Sequence, residues 1–441
     1  MFVGRKKELA TLNEVYEKDA PSLVILYGRD GIGKTRLLKE FSADKSHMYY
    51  LGREYSKEEQ KQYLDPVLEE TRVAAASLEN GKICLFIDEF DQIQKAYKDF
   101  FVDLEAFLKE ELIEKRVMVV ISSSSIQWVE NEMVKVMGTT ATRITSFIKL
   151  KEFTFLEMVS YFPDSSTQDC IAIFGVLGGV PKYLEYWDSK KNVRENIKKL
   201  FLYESSPMRN EVVRFLRLDL RELSVYNTIL AVLAEDEYKL NYLYSRTGFS
   251  RAKISVYIKN LIQLDVAHKI FSFETDQREN IQKGLYGISD PLLYFWYKFM
   301  QPNLSSLAWE DADAFYDSVI EPGLDGYMWL SYIRVCREFL ELMNQFGKLP
   351  IQIHTMGSLY GKEGFIPLIG QSQEGELLVG TCKWSNEPMT VTEFEELLGT
   401  MEQTGKEADY YFLFSKEGFA QELSTMTQGI DNVSLIDLES L

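Results

Sequence analysis

The sequence predicts an α/β fold in which a parallel sheet is followed by helical segments and by a second α/β region. In residues 1–150, three short and almost continuous apolar runs, 22–28, 83–90 and 117–124, alternate with helix-like stretches. Strands that are buried on both faces of a parallel sheet have this pattern, because helices cover both sides. The alternation of strands and helices therefore predicts a doubly wound sheet.

Beyond the sheet, the apolar pattern changes and predicts further regions. Residues 151–220 have a helical pattern, and residues 221–275 predict three short helices followed by a strand, which is the order of a winged helix-turn-helix. Residues 276–325 predict an aromatic-rich helical connector, and α/β patterning returns in residues 326–441. We therefore expect several distinct regions after the first sheet.

The composition is that of an ordinary soluble globular protein. The 441 residues include 49 basic and 67 acidic side chains, and the net charge of −18 repels nucleic acid at long range unless a local basic patch is present. The four cysteines lie far apart, and no apolar run approaches the roughly 20 residues that span a bilayer. The charged N-terminus lacks the apolar core of a signal peptide. We expect a cytoplasmic protein with reduced cysteines.

Residues 28–35, GRDGIGKT, match the phosphate-binding motif G-x-x-x-x-G-K-[ST] in full, between an apolar run and a helix-like stretch. Backbone N–H groups of such a loop curl around a phosphate, Lys34 reaches the terminal phosphates and is a catalytic candidate, and the Thr35 hydroxyl coordinates Mg²⁺. The alternative is a Gly-rich turn that only joins a strand to a helix. The motif predicts ATP and Mg²⁺ as ligands, and the expected binding residues are Gly28, Arg29, Asp30, Gly31, Ile32, Gly33, Lys34, Thr35 and Arg36.

A second apolar run, LFIDEF, ends in the adjacent carboxylates Asp88 and Glu89. Two carboxylates at the end of a buried strand are costly unless they have a function. Asp88 is expected to hold the Mg²⁺ shell. Glu89 is then placed to orient and deprotonate the attacking water as a catalytic base. The alternative is a solvated strand end without a catalytic role.

Two further polar candidates follow along the chain. In ISSSS (121–125), Ser123 or Ser124 is expected to sense the γ-phosphate between the two motifs, and a plain Ser-rich turn is the alternative. Arg143 is a catalytic candidate that could supply a positive charge in trans, in the manner of an arginine finger. A surface arginine is the alternative.

Five stretches in this order, FVGRKKEL, GRDGIGKT, LFIDEF, LKEFTFLEM and GGVPKYLEYW, resemble the archaeal-type P-loop ATPases of the AAA+/STAND-like assemblage. The resemblance covers nearly the whole chain and implies that residues 151–220 form a helical lid over the nucleotide. It also implies further nucleotide-binding positions, namely Val3, Gly4 and Arg5 against the base, and Gly178, Gly179 and Pro181 in the lid.

The same resemblance implies a restriction-endonuclease-like fold for residues 326–441. In that fold an Asp on one strand and a Glu-x-Lys sequence on the next bind the metal and stabilise developing negative charge. Here Pro367 stands where the Asp belongs, Thr381 replaces the Glu, and only Lys383 remains. Hard cations need oxygen ligands, which a lone ammonium does not offer. We therefore expect a degenerate domain without nuclease activity.

The predicted recognition helix of the winged helix, SRAKISVYIKNLI, is basic at its N-terminal end, where such helices meet base edges. However, residues 222–270 contain six basic and five acidic side chains, which is few for a surface that follows phosphates. A structural module beside the nucleotide is the alternative. The DNA-binding candidates are Ser250, Arg251, Lys253 and Lys259.

The leading functional hypothesis is a Mg²⁺-dependent switch protein that binds ATP and hydrolyses it slowly. The alternative is a DNA-binding regulator in which ATP is a structural ligand, and an active nuclease is the least favoured reading. From residue 372 onward the chain has 14 acidic and 3 basic side chains, so this end suits a protein partner better than DNA. An oligomer is compatible with an arginine supplied in trans, and no membrane partner is expected.

Overall fold

The computed structural model describes residues 2–18, 20, 22–235, 238–273, 284–361 and 364–441. The boundary predicted between 221–275 and 276–325 lies outside these residues. The strands are β1 (Ser22–Tyr27), β2 (His47–Leu51), β3 (Ile83–Asp88), β4 (Val117–Ser123), β5 (Ile144–Lys149), β6 (Tyr238–Lys239), β7 (Ala267–Ile270), β8 (Leu285–Ile288), β9 (Thr355–Tyr360), β10 (Phe365–Gln371), β11 (Leu377–Lys383), β12 (Tyr410–Ser415) and β13 (Val433–Asp437).

Helices connect the strands and make up most of the middle of the chain. None of the helices in the described ranges combines the length and apolar character needed to cross a membrane. The helices are α1 (Lys6–Glu17), α2 (Lys34–Phe41), α3 (Lys57–Ser77), α4 (Phe90–Ala96), α5 (Phe100–Leu108), α6 (Glu111–Arg116), α7 (Ile126–Trp128), α8 (Val134–Met137), α9 (Phe155–Tyr161), α10 (Thr167–Leu177), α11 (Pro181–Leu184), α12 (Val193–Ile197), α13 (Glu211–Asp219), α14 (Leu223–Leu233), α15 (Leu240–Thr247), α16 (Arg251–Gln263), α17 (Pro291–Phe295), α18 (Leu304–Trp309), α19 (Ala312–Phe315), α20 (Glu321–Gln345), α21 (Val391–Thr404) and α22 (Gln421–Thr427).

The chain divides into two compact units, and unit 1 contains the predicted parallel sheet. This unit consists of Met1–Phe153, Val180–Glu185 and Arg214–Arg221. Its sheet has the strand order β2-β3-β4-β1-β5, and neighbouring strands run parallel. The central strands β1, β3 and β4 are almost wholly buried, as their apolar runs predict. The α/β fold is confirmed, and β2 and β5 extend the sheet at its two edges.

Aromatic packing beside this sheet fixes the chain just beyond β3. Phe90, the first residue of α4, is fully buried in the same core as Ile87 and Ile121. Its ring centre lies 4.8 Å from that of Phe100 and 5.1 Å from that of Phe101. The carboxyl ends of parallel strands lie on the same side of a sheet. The segments that follow β1, β3 and β4 therefore lie side by side there. That edge is where a ligand site is expected in an open α/β sheet.

Unit 2 holds the remaining segments, Thr154–Gly179, Tyr186–Val213 and Glu222–Leu441. Within it, α10 packs closely on the long helix α20, where a Cβ atom at Gly175 would lie 2.8 Å from Met328 Sδ. The buried Tyr327 hydroxyl of α20 donates a hydrogen bond to the Gly175 carbonyl (2.6 Å). A small residue and a buried hydrogen bond therefore hold the two helices together.

The three helices and the strand predicted for residues 221–275 are present as α14, α15, α16 and β7. β8 pairs antiparallel with both β6 and β7 to give a three-stranded sheet. α16 begins at Ser250, whose Oγ accepts a hydrogen bond from the Lys253 amide (3.3 Å), as an N-cap residue does. Ile254, Ile258 and Leu261 form its buried face.

A separate sheet occupies the C-terminal region of unit 2 and has the order β13-β12-β11-β10-β9. β10 runs antiparallel to β9 and β11, whereas β11, β12 and β13 are parallel. Ile369 and Val379 on the sheet form a core with Phe394 and Leu397 on α21. The α/β pattern predicted for residues 326–441 is thus confirmed as a sheet of its own.

Tyr327→Phe is expected to lower the free energy of unfolding by about 1–2 kcal/mol, because a buried hydroxyl is removed from two backbone acceptors. These are the carbonyls of Gly175 (2.6 Å) and Pro291 (3.0 Å). Urea unfolding followed by tryptophan fluorescence measures the change. The matched control is Tyr203→Phe at a side chain that is 47% exposed, and it should leave the midpoint unchanged. Equal shifts in both variants would contradict the role assigned to Tyr327.

Candidate functional site

The loop between β1 and α2 is shaped by two glycines with left-handed backbone. β1 ends at Tyr27 and α2 begins at Lys34. Between them, Gly31 has a φ of 79° and Gly33 a φ of 98°, values that residues with a Cβ atom rarely adopt. The turn leads directly into the N-terminus of α2, where N–H groups and the helix dipole favour an anion. The backbone of the predicted phosphate-binding loop therefore suits a phosphate.

Lys34 is buried and folds back over its own loop. Its Nζ donates hydrogen bonds to the carbonyls of Gly28 (3.0 Å) and Arg29 (3.3 Å) and to Oγ of Ser124 (2.7 Å). Lys34 is only 4% exposed, and a buried ammonium requires such acceptors. These acceptors hold the ammonium beside the loop that is expected to bind the terminal phosphates.

Asp88, at the carboxyl end of β3, is fully buried and accepts hydrogen bonds on both carboxylate oxygens. Oδ2 accepts from Thr35 Oγ1 (2.6 Å) and from Tyr49 Oη (2.8 Å). Oδ1 accepts from Ser122 Oγ and from the Glu89 amide (3.1 Å). The structure thus brings Thr35 and Asp88 together as predicted from the motifs, and it adds Tyr49 and Ser122, which sequence reasoning missed.

Thr35 and Asp88 offer the hard oxygen atoms that Mg²⁺ prefers. Thr35 Oγ1 and Asp88 Oδ2 lie 2.6 Å apart at the start of the loop helix. In the part of the chain that the structure describes, no group of three or more His, Cys, Asp or Glu side chains is arranged to hold a metal ion. A divalent cation here would therefore also need oxygens of phosphate groups and water, which is how Mg²⁺ is commonly bound. The residues fit Mg²⁺ that arrives with a nucleotide.

Glu89 follows Asp88 and has a left-handed backbone with a φ of 52°, a conformation that is rare outside glycine and often found at functional sites. Its carboxylate oxygens lie 3.1 and 3.2 Å from Ser124 Oγ. Burial raises the pKa of the Glu89 carboxyl and outweighs the opposing charge of Lys34. A carboxylate with a raised pKa is suited to accept a proton as a general base.

Of the two serines expected to sense the γ-phosphate, the structure places Ser124 in the site rather than Ser123. Ser124 Oγ lies between Lys34 and Glu89, because it accepts from the ammonium and donates to the carboxylate. Ser123 is fully buried and its Oγ donates to Asp91 Oδ1 (2.5 Å). Of the two expected serines, Ser124 therefore lies at the site and Ser123 does not, since successive residues of an extended chain face opposite sides.

Asp91, another residue that sequence reasoning missed, fixes this serine-rich strand end. Its Oδ1 accepts from Ser123 Oγ, and its Oδ2 accepts from the Ser124 amide (2.6 Å). Asp91 lies in the first turn of α4, two residues after Glu89. Its position in LFIDEFD, close behind two other acids, is the sequence signal that could have identified it.

Unit 1 includes two short segments that are distant in sequence from the loop, Val180–Glu185 and Arg214–Arg221. They are called the clamp segments below. The Asp30 carboxylate contacts both of them, since Oδ2 accepts from Lys182 Nζ (3.1 Å) and from Arg214 Nη2 (2.5 Å). Burial opposes ionisation of Asp30, but the hydrogen bond from Arg214 and the charge of Lys182 prevail and lower the pKa of that carboxyl. The loop is thus tied to both clamp segments by charge.

Arg29 joins the loop to the clamp segments by a second kind of contact. Its guanidinium carbon lies 4.1 Å from the ring centre of Phe215 and 5.5 Å from that of Tyr183. Nη2 also donates to the Tyr183 hydroxyl (3.2 Å). The residue is 8% exposed, and desolvation strengthens cation–π contacts. Arg29 therefore stabilises the same arrangement as Asp30.

The other predicted positions of the loop and lid lie along the same segments. Ile32 is buried in the loop, and Arg36 lies 3.8 Å from Glu185 of the first clamp segment. Pro181 begins α11 in that segment. Gly178, with a φ of 67°, ends α10, and Gly179 is the last residue of unit 2 before this segment begins.

The N-terminal Val3-Gly4-Arg5 stretch reaches the loop through its arginine. Arg5 is 5% exposed, and its Nη2 donates to the Ile32 carbonyl (3.0 Å). Its guanidinium carbon lies 4.9 Å from the ring centre of Phe153. Gly4 and Arg5 both have left-handed backbone, with φ of 67° and 62°. The contact of Val3, Gly4 and Arg5 with a base stays a prediction.

Arg143 is not brought to this site. Its Nε lies 3.1 Å from Glu105 Oε2 and its Nη1 3.2 Å from Glu114 Oε1. It immediately precedes β5, whose first residue, Ile144, lies beside Leu23 near the start of β1. Arg143 therefore lies at the amino-terminal ends of the strands, whereas the loop lies at their carboxyl ends. Two carboxylates of its own chain already engage this side chain, and its action in trans stays a prediction.

The lysine of the expected nuclease-like strand is also engaged in an ion pair. Lys383, at the end of β11, pairs with Glu393 of α21. Burial opposes ionisation of Glu393, but the hydrogen bonds from Lys383 and Thr390 lower its pKa to about 2. Thr381 precedes on the same strand, and Pro367 lies where the pairing of β10 with β9 is irregular.

The predicted recognition residues are distributed unevenly over α16. Arg251 and Lys259 are exposed, whereas Lys253 is half-buried and lies 3.8 Å from Glu222. The Arg251 guanidinium carbon lies 5.6 Å from the ring centre of Tyr244 on α15. Ser250 caps the helix, so its hydroxyl is used within the chain. Three of the four candidates, Ser250, Arg251 and Lys259, are exposed, and two of these three carry a charge.

The chain matches known families at two places. Residues 2–80 match a family described as an ATPase domain found predominantly in archaea, and residues 296–397 match a family described as archaeal and bacterial proteins of unknown function. An uncharacterized protein of Methanocaldococcus jannaschii is 26% identical over 401 residues, which is 88% of each chain. An uncharacterized ATP-binding protein of the same organism is 47% identical over 45 residues, 10% of this chain and 76% of that one.

Among solved structures, a Walker-type ATPase of Pyrococcus abyssi is similar with a TM-score of 0.48 and 16% identity, and the match covers 67% of this chain and 96% of that one. In the present chain, β1 runs into a Gly-rich loop with Lys34 and Thr35, beside Asp88 on β3. This arrangement on a parallel sheet defines a P-loop nucleotide-binding protein. Together with the match over residues 2–80, it makes this part of the chain similar to the archaeal-type P-loop ATPases.

Asp30→Asn is expected to loosen the clamp segments, because Lys182 and Arg214 lose their shared carboxylate. Hydrogen exchange of peptides that cover 180–185 and 214–221 should accelerate by about two- to fivefold, the range expected for a partly exposed ion pair. Glu185→Gln is the matched control, since it removes a carboxylate of the same segment whose pairing with Arg36 is longer (3.8 Å) and more exposed. Unchanged exchange in Asp30→Asn would contradict the clamp contact.

Proposed function

We propose that the protein is a Mg²⁺-dependent switch that binds ATP and hydrolyses it slowly. The observation that supports this proposal most directly is a line of contacts from Lys34 through Ser124 to Glu89, next to the hydrogen-bonded pair of Thr35 and Asp88. A phosphate-binding cation, a candidate base and a metal-compatible oxygen pair therefore converge at one edge of the sheet. Hydrolysis of a phosphoanhydride requires this set of groups.

Ser124 connects phosphate binding to the base. Its Oγ is 2.7 Å from Lys34 Nζ and 3.1 Å from Glu89 Oε2. A phosphate that attracts the Lys34 ammonium would weaken its bond to Ser124. The hydrogen bond that Ser124 donates to Glu89 then weakens as well, because the cation no longer polarises the hydroxyl. Glu89 then accepts a proton from the attacking water. Mg²⁺, when bound at Thr35 and Asp88, would neutralise charge on the phosphate oxygens.

Slow turnover follows from the position of Arg143. An arginine finger accelerates phosphoryl transfer by roughly 10³–10⁵-fold in enzymes that have one. Arg143 is held by Glu105 and Glu114 at the amino-terminal ends of the strands, so it does not supply this charge to the site of its own chain. The chain's own groups then provide positioning and a base, which suits a switch better than a rapid enzyme.

The clamp segments provide the route by which the nucleotide would act on the rest of the chain. They contact the phosphate-binding loop through Arg29 and Asp30. The chain continues from them directly into unit 2, at Gly179 on one side and at Glu222 on the other. A ligand shifts an equilibrium only by its different affinity for two states, so the proposal requires that the loop and clamp contacts differ with and without nucleotide. We assign the lid role to this part of the chain.

Glu89→Gln is expected to reduce ATP turnover by at least about 100-fold while ATP affinity changes by less than about threefold, because the amide cannot accept the proton. Phosphate release and binding of a fluorescent ATP analogue measure the two quantities. Lys34→Ala is the contrasting variant and should lose binding. Since the pKa of Glu89 is raised by burial, wild-type turnover should increase as the pH rises through the acidic range. Full turnover in Glu89→Gln would refute the assignment of the base.

A second candidate function is DNA binding by α14–α16 with β6–β8, which we propose to be a winged helix. The observation that favours it is the exposure of Arg251 and Lys259 on α16, next to the exposed Tyr244 of α15. Cations of this kind bind phosphates, and the N-terminal end of the helix would meet base edges. The Lys253–Glu222 contact reduces the charge available, so binding would be modest.

The double variant Arg251→Ala with Lys259→Ala is expected to weaken binding of a labelled duplex by about tenfold and to reduce the slope of log affinity against log salt by about 1–2. Fluorescence anisotropy at several salt concentrations measures both effects. Lys190→Ala with Lys191→Ala removes two exposed lysines elsewhere and serves as the control. If wild type and both double variants bind alike, the DNA-binding role of α16 is excluded.

We also propose that the C-terminal sheet domain is a degenerate restriction-endonuclease-like domain that contacts a protein partner. Lys383 is neutralised by Glu393, and neither Thr381 nor Pro367 offers a carboxylate. The excess of 14 acidic over 3 basic side chains from residue 372 onward favours a basic protein surface over DNA.

A further inference from the structure

We propose that Tyr49 sets the affinity of the site for its divalent cation, because its hydroxyl occupies the Asp88 oxygen that a metal-bound water would use. The inference rests on the Mg²⁺-dependent function proposed above and adds a residue that lies outside the phosphate-binding loop and the LFIDEF strand. Tyr49 belongs to the edge strand β2, and its ring extends across to the end of β3.

The hydrogen bonds of Asp88 leave little room for another donor. An ionised carboxylate has two acceptor directions on each oxygen. Oδ2 accepts from Thr35 (2.6 Å) and Tyr49 (2.8 Å), and Oδ1 accepts from Ser122 and from the Glu89 amide. A water molecule that is held by a cation and donates to Asp88 must therefore replace one of these donors.

Of these four donors, Tyr49 is the one whose hydrogen bond to Asp88 can be lost at the smallest cost in free energy. Thr35 would hold a cation through its oxygen and could still donate its proton to Asp88. Ser122 is fully buried on a central strand, and the Glu89 donor is a backbone amide. Tyr49 is 41% exposed on an edge strand, so its ring has solvent to rotate into. Its neighbour Tyr50, by contrast, is buried and donates to Gln60 (2.5 Å).

This geometry makes the Tyr49 hydroxyl a competitor of the hydrated cation. Without the metal, the hydroxyl keeps the Asp88 carboxylate satisfied and oriented. With the metal, the hydrogen bond between Tyr49 and Asp88 has to be given up, which weakens cation binding. The competition concerns the metal, since no hydrogen bond joins Tyr49 to Lys34 or to the loop glycines among the described residues, whose hydrogen bonds there involve other partners. Affinity for a metal-free nucleotide should not depend on it.

Tyr49→Phe tests the proposal with Mn²⁺ as the probe, in the full chain with a non-hydrolysable ATP analogue. Electron paramagnetic resonance of free Mn²⁺ gives the metal affinity. This affinity is expected to rise by about three- to tenfold, which is the effect of losing a hydrogen bond to a charged group when water partly replaces that bond. Tyr55→Phe is the matched control, since it removes the hydroxyl of a nearby tyrosine that is 39% exposed, and it should bind Mn²⁺ like the wild type.

Two further measurements make the outcome decisive. Binding of the analogue in the presence of EDTA should be equal in the wild type and Tyr49→Phe, and Tyr49→Leu should show the same direction of change in Mn²⁺ affinity. Equal or weaker Mn²⁺ binding by the Tyr49 variants would overturn this inference and leave the proposed function intact. If the wild type binds the analogue but no Mn²⁺, then the Mg²⁺-dependent function fails, and the role of Tyr49 fails with it.

Discussion

The burial of the Asp88 carboxylate is the constraint on which the functional edge of unit 1 depends. An ionised carboxylate without solvent costs several kcal/mol unless it is fully hydrogen-bonded. Asp88 meets this requirement with donors from separate parts of the chain: Thr35 on α2, Tyr49 on β2, Ser122 on β4 and the Glu89 backbone. One charged group therefore fixes the register of three neighbouring strands and the loop helix. The same group is unusually sensitive to a cation, because any new partner must displace an old one.

The parts of this site that could be predicted from sequence are those whose partners lie in one short window. The loop glycines, Lys34 and Thr35 stand in a single motif, and Asp88 and Glu89 end a single apolar run. Parallel strands bring these two windows to the same edge, so their meeting follows from the fold class alone. Strands β1, β3 and β4 were predictable for the same reason, since central strands are continuous apolar runs.

The residues that sequence reasoning missed or misplaced depend on contacts between distant windows or on a shift of one residue. Ser123 and Ser124 are indistinguishable in ISSSS, and only the orientation of β4 decides which one faces Lys34. Tyr49 lies on an edge strand with a mixed burial pattern, so its sequence gives no sign of a carboxylate partner. The ion pairs of Arg143 were equally hidden, because a lone arginine in sequence does not reveal Glu105 and Glu114 on two other helices.

The C-terminal sheet region uses charged side chains to stabilise its structure, and Lys383 is an example. A lysine at the end of a buried strand needs a carboxylate, and in a metal-binding version the strand acids would supply part of that negative charge. Here Glu393 supplies it from the first turn of α21, where the helix dipole also favours an acid. On α20, Glu338 accepts hydrogen bonds from the Phe155 and Leu156 amides (3.0 and 3.1 Å) and so caps α9. A cation placed at Lys383 would first have to break the ion pair with Glu393, so this pair stabilises the end of β11 in its present form.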